Sequence, residues 1–161
     1  MYDTYNNQVK YYDILEEHMN LSESEIMDLN SGLKALEDKH FTRAVQLLSP
    51  LAEKGEPEAQ HRMAVMYQNG LGIHRNETAA ALWMKMSADQ GYELAWHGMG
   101  FMFMEGEGVE KNAQEAIKWF TKGIDAGLIG SMTTLAMMYK EGNGVEKNPE
   151  EAERLLKLAG F

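Results

Sequence analysis

The sequence predicts an all-α fold, a solenoid of stacked helix-loop-helix units, and three observations carry that prediction. Glycine pairs fall at Gly70 and Gly72, Gly106 and Gly108, and Gly142 and Gly144, a period of 36 residues. Each pair follows an aromatic residue (Tyr67, Phe103, Tyr139) and precedes an aliphatic one (Ile73, Val109, Val145) and then an asparagine (Asn76, Asn112, Asn148). Small residues return in step at Ala80, Ala116 and Ala152, with Trp83, Trp119 and Leu155 three places further on. A fixed period of this length marks supersecondary units that cannot bury their apolar faces alone and must stack.

In chain order, residues 1–20 hold four of the seven tyrosines and read as an arm entering a short helix from about Gln8 to about His18. Ser22-Glu23-Ser24-Glu25 then places a hydroxyl at a helix start and a carboxylate three residues on, a pattern that satisfies two free backbone N–H groups. A helix is expected to follow to about Asp38, with Ile26, Leu29, Leu33 and Leu36 on its buried face. The next runs from Phe41 to Lys54, with Pro50 a place where its hydrogen-bond ladder should weaken or kink. These two helices, within 21–54, form a degenerate pair without the glycine loop and would cap the stack.

Three full units follow, at 55–90, 91–126 and 127–161. Glu56-Pro57-Glu58 opens the first, since proline is well placed in the first turn and acids favour the positive end of the helix dipole. Gly70 should end that helix in a left-handed conformation. Asn76, Asn112 and Asn148 should then cap second helices near 77–89, 113–125 and 149–159. Ala59, Ala64, Ala80, Ala95, Gly100, Ala116, Ala136 and Ala152 are the small positions that let helices approach, with Tyr67, Trp83, Phe103, Trp119 and Tyr139 filling the gaps between them.

Composition narrows the function classes. A net charge of −10 opposes a nucleic-acid backbone as ligand, because phosphate contacts need clustered Lys and Arg. With no cysteine there is neither a disulfide framework nor a thiolate metal site. No apolar run is long enough to cross a bilayer, and Met1 to Asn20 lacks the basic start and apolar run of an export signal. The expected address is the cytoplasm. The thirteen methionines, Met66, Met102 and Met138 in one register among them, are read first as core filling.

Ala59-x-x-x-Met63-Ala64-x-x-Tyr67-x-x-Gly70-x-Gly72-Ile73, its counterpart from Ala95 to Val109, and Leu135-Ala136-x-x-Tyr139-x-x-Gly142-x-Gly144-Val145 resemble the Sel1-like repeat family, close kin of the tetratricopeptide repeats. The resemblance covers about two thirds of the chain. It implies a right-handed α/α superhelix that serves as an adaptor or scaffold and holds a protein or peptide on its concave side. Some members resemble penicillin-binding or β-lactamase hydrolases, but these carry cysteine pairs that this chain lacks. Ser131 and Leu155 depart from the pattern, standing where the other units have alanine and tryptophan.

No constellation of residues points to catalysis or to a cofactor. His61 and His97 share a repeat position and should lie about 10 Å apart on neighbouring helices. Their third equivalent is Thr133, and no acid repeats beside them to complete a metal shell. The glycine pairs lack the lysine of a phosphate loop, and Glu150, Glu151 and Glu153 are explained by the dipole of the helix they begin.

The working surface is instead expected opposite the buried arc of each first helix. Steps of 100° place Glu58, Arg62, Val65 and Asn69 there, with His61 at the edge. Stacking aligns these with Leu94, His97, Gly98, Phe101 and Glu105, and then with Gly130, Thr133, Thr134, Met137 and Glu141. Val65, Phe101 and Met137 form an apolar row that solvent alone would not favour. The expected function is a non-enzymatic adaptor that binds a protein or peptide there, with a bacterial immunity or regulatory protein as a narrower version. Leu155, Leu156 and Leu158 are further expected to support pairing of two copies at the carboxyl-terminal end.

Overall fold

A computed structural model describes residues 21–161; the expected arm and the helix near Gln8 to His18 lie outside them. The described residues form eight helices and no strand: α1 Glu23–Glu37, α2 Phe41–Lys54, α3 Pro57–Asn69, α4 Glu77–Asp89, α5 Glu93–Glu105, α6 Ala113–Asp125, α7 Ile129–Glu141 and α8 Pro149–Leu158. They pair in order, and each second helix packs on the first helix of the next pair. α5 also touches α7 directly, and His61 of α3 meets Tyr92 at the start of α5, so α3, α5 and α7 form one row, the inner row.

Local chemistry accounts for the boundaries. At α1 the Ser22 hydroxyl accepts from the Glu25 N–H at 3.2 Å, and the Glu25 carboxylate accepts from the Ser22 N–H at 2.7 Å. Glu25 also accepts from Lys54 of α2 at 2.6 Å, and this lysine, with the Ser22 bonds, holds its carboxyl down at about 2. α2 runs through Pro50, which is exposed.

The three glycine loops repeat one backbone conformation and one hydrogen-bond pattern. Gly70, Gly106 and Gly142 take the left-handed conformation at φ 66°, 78° and 74° and end α3, α5 and α7. The N–H groups of Asn76, Asn112 and Asn148 donate to the carbonyls of Tyr67, Phe103 and Tyr139, each at 2.9 Å. The side chains of the same asparagines accept from the N–H groups of Ala79, Glu115 and Glu151 at 3.0, 3.1 and 3.1 Å. Each repeated asparagine therefore both closes its loop and starts the next helix.

The second glycine of each pair joins units together. A side chain at Gly72 would meet the backbone of Phe41 and Thr42, one at Gly108 the carbonyl of Glu77, and one at Gly144 the side chain of Ala113. In all three cases the loop rests on the start of the second helix of the preceding pair. A second joint lies at the far end of that helix. Gln60 donates to the Ala52 carbonyl at 3.1 Å, and Trp96, one period later, donates through its ring N–H to the Ala88 carbonyl at 3.0 Å. Two unlike side chains thus add a second hydrogen bond to the same helix-end carbonyl, which already accepts the N–H of Gly55 or Gly91.

The core consists of alanines at the close approaches and methionines in the gaps. Ala44, Ala52, Ala59, Ala64, Ala80, Ala95, Ala116 and Ala136 are fully buried, and Met63, Met66, Met84, Met99, Met102 and Met138 nearly so. Tyr67, Trp83, Phe103, Trp119 and Tyr139 are only half-buried, lying along the seams between units rather than inside them. Among the described residues the fully buried aromatic is Phe120, over Gly100, where a methyl group would lie 2.6 Å from its ring. Of the three leucines expected at an open end, Leu155 is buried, Leu156 half-buried and Leu158 alone exposed. The apolar area available there for self-pairing is therefore smaller than the sequence suggests.

Candidate functional site

The inner row of α3, α5 and α7 presents one turn of each helix to the same side, because each unit repeats the geometry of the last. Polar ties between neighbouring first helices fix their register. The rings of His61 on α3 and Tyr92 at the start of α5 are 5.3 Å apart, and His97 Nδ1 on α5 lies 3.2 Å from the Ser131 hydroxyl on α7. Gly130 leaves open the space beside His97; a side chain there would begin 3.6 Å from that ring. His97 also packs against Phe120, with ring centroids 5.6 Å apart.

One helical turn beyond these ties comes the apolar row. Phe101 is 36% exposed and Met137 43%, each a long side chain projecting from a helix whose other face is buried. Val65 is half-buried and packs partly into the core of its own unit, so it is the recessed end of the row. Leu94, also 43% exposed, and Ile129, 56% exposed, add apolar surface near the starts of α5 and α7. Next along the same helices stand Asn69, Glu105 and Glu141, all exposed. Asn69 donates to the Val65 carbonyl at 2.9 Å, whereas Glu105 and Glu141 have no ion-pair partner among the described residues. Thr133 and Thr134 are half-buried, and the Thr133 hydroxyl turns back to the Ile129 and Gly130 carbonyls.

The α3 end of this face is charged and self-paired. Arg62 donates to Glu58, one turn earlier, at 3.0 Å. Tyr92 stands beside the same carboxylate, and burial, reinforced by Glu58, pushes its hydroxyl up to about 12. The wheel angle places His61 at the edge of the open face, but it is only 8% exposed. The tyrosine of the next unit covers it, so His61 is a buried groove wall and not a contact surface.

Burial also sets the protonation of His61. Loss of solvent, together with the charge of Arg62 and the proximity of His97, lowers its pKa to about 4, and Nδ1 has no protein hydrogen-bond partner. The folded state therefore holds a neutral imidazole, while the unfolded chain protonates near pH 6.5. A depressed histidine pKa means the unfolded state binds more protons in this window. Its stabilising contribution is intact above about pH 6.5 and is lost as pH falls towards 4. Urea titrations are expected to show a loss of about 2–3 kcal/mol between pH 7 and pH 4.5 that is absent in His61→Leu, since one pKa unit corresponds to ~1.4 kcal/mol. Identical pH slopes in the two proteins would rule out His61 as the source.

The residues this face brings together are Arg62, Val65, Phe101, Met137, Glu105 and Glu141, with His97 and Thr133 at one margin. Sequence reasoning did not single out Tyr92 or Ile129, and it noted Ser131 only as a break in pattern. That break was a usable signal, because a hydroxyl replaced alanine at the position facing a histidine of the preceding unit. Among the described residues no group of three or more histidine or acidic side chains could hold a metal ion, and no helix is long and apolar enough to cross a membrane.

The family pattern described as Sel1 repeat matches residues 57–92, 94–128 and 131–160. No curated protein matches the chain. Among solved structures, a protective antigen present in uropathogenic Escherichia coli strains and displaying an SLR fold is 27% identical, with a TM-score of 0.76. It aligns with 84% of this chain and 30% of its own. A Sel1 repeat protein from Oxalobacter formigenes is also 27% identical, with a TM-score of 0.73, over 83% of this chain and 53% of its own. The chain thus spans about a third of one relative and about half of the other.

Proposed function

The chain belongs to the Sel1-repeat family, whose repeats form non-enzymatic modules that bind proteins and peptides, and on that footing we propose that its partner lies along the inner face of α3, α5 and α7. The observation that carries this is the exposed pair Phe101 and Met137, in register one unit apart, on a face whose neighbouring positions are otherwise tied down by hydrogen bonds and ring contacts. Large apolar side chains left in water at a repeated position are a standard mark of a contact surface. Arg62, anchored by Glu58 at the α3 end, supplies a charged terminus to the row.

Affinity capture from the native cell tests the reading. Arg62→Ala combined with Phe101→Ala is expected to abolish recovery of the partner while shifting the melting temperature by no more than a few degrees, because neither side chain is part of the buried core. Undiminished recovery by the double variant would place the contact elsewhere on the molecule.

A further inference from the structure

The inner face carries information about its occupant as well as its location. The apolar side chains recur once per unit, and directly packed helices lie about 8–10 Å apart; α5 and α7 are in such contact. A polyproline II segment rises ~3.1 Å per residue with three residues per turn, so every third side chain returns to the same side after ~9 Å. That repeat is close to the spacing expected between Phe101 and Met137, which stand one unit apart on the touching helices α5 and α7. No internal hydrogen bonds are needed to hold such a segment, and the open face offers no sheet edge to pair with one.

Charge selects further. Along the apolar row, one turn beyond Phe101 and Met137, stand Glu105 and Glu141, which are exposed and without an ion-pair partner among the described residues. The cation of this face, Arg62, is already engaged by Glu58. The protein as a whole carries a net charge of −10, which draws in cations and repels acidic segments before contact is made.

We propose, building on the inner-face reading above, that the occupant is a cationic extended peptide segment with an apolar side chain at every third position and Lys or Arg between them. The apolar side chains rest on Phe101 and Met137, and the intervening cations reach Glu105 and Glu141.

Fluorescence anisotropy with the full chain and a labelled peptide of four Leu-Pro-Lys triads tests this. Binding is expected, and it should weaken by at least ~10-fold when Ser replaces Leu in the peptide, when Glu replaces Lys, or when the protein carries Phe101→Ser with Met137→Ser. Glu105→Lys with Glu141→Lys should transfer preference from the Leu-Pro-Lys to the Leu-Pro-Glu peptide. All substituted positions are exposed, and unchanged helical circular dichroism would confirm that the variants remain folded. Equal binding of the Ser-Pro-Lys peptide would reduce the effect to general charge attraction and overturn the proposal. So would equal binding of the Leu-Pro-Glu peptide, indifference to the protein substitutions, or no binding of any probe. If the probes fail while native capture still depends on Arg62 and Phe101, the occupant's chemistry is wrong and the inner-face reading stands. If native capture is also indifferent to those two residues, both fall.

Discussion

Gly108→Ala is expected to lower the unfolding free energy by about 2–6 kcal/mol, a large fraction of what a domain of this size possesses. Two independent costs add. The residue sits at φ +69°, where an L side chain is strained by about 1–3 kcal/mol. Its Cβ would also overlap the Glu77 carbonyl oxygen, which is backbone at the start of α4 and cannot rotate away. Relieving that overlap means prising the loop of one unit from the helix of the unit before it, with an overpacking cost of about 1–3 kcal/mol. Gly127→Ala separates the two terms: its φ is +82°, but nothing lies within 4 Å of the added methyl group, so only the strain of about 1–3 kcal/mol is expected. Urea denaturation of both variants reads the difference. Equal losses would mean that the glycine loops do not bear on the preceding unit in the way described.

Phe120→Ala should cost about 3–5 kcal/mol, because it removes from the middle of the stack the aromatic ring that is fully buried among the described residues. Its neighbours show why the site cannot simply close. Phe120 fills space that Gly100 leaves open, at the position where α3 has Ala64 and α7 has Ala136. Conversely, Gly100→Ala alone should destabilise by overpacking against the ring, and Phe120→Leu in the same chain should restore part of the loss. The coupling energy from that double-mutant cycle measures the pairing directly; simple additivity would show that the two sites do not share space.

These two sites also mark the limit of what the residue pattern reveals. The helices, their starts and their ends were legible because each depends on chemistry within a few residues: asparagine caps, left-handed glycines, the Ser22–Glu25 box. The use of Gly72 and Gly108 as joints between units was not, since it depends on backbone 31 residues upstream. The same holds for the burial of His61, which a wheel puts at the edge of the open face and which Tyr92 of the next unit covers. A helical wheel treats one helix in isolation, whereas a solenoid helix has neighbours before and after it. The wheel therefore placed Phe101 and Met137 on open surface, but it also placed Val65 there, which lies partly in the core, and put at the edge His61, which is buried. Tyr67, Phe103 and Tyr139 repeat because they line a seam and their carbonyls close a loop, while the buried Phe120 stands where Met84 and Leu156 stand in other units and so leaves no periodic trace.

Site-specific photo-crosslinking in the native cell bears most directly on the inner face as the working surface. A photoreactive side chain is placed singly at Phe101, at Met137, and, for comparison, at Leu82 and Met86, two equally apolar residues exposed on the other helix layer. Adducts to a partner protein from positions 101 and 137, and none from 82 and 86, are the expected result. Adducts from 82 and 86 with none from 101 and 137 would contradict it.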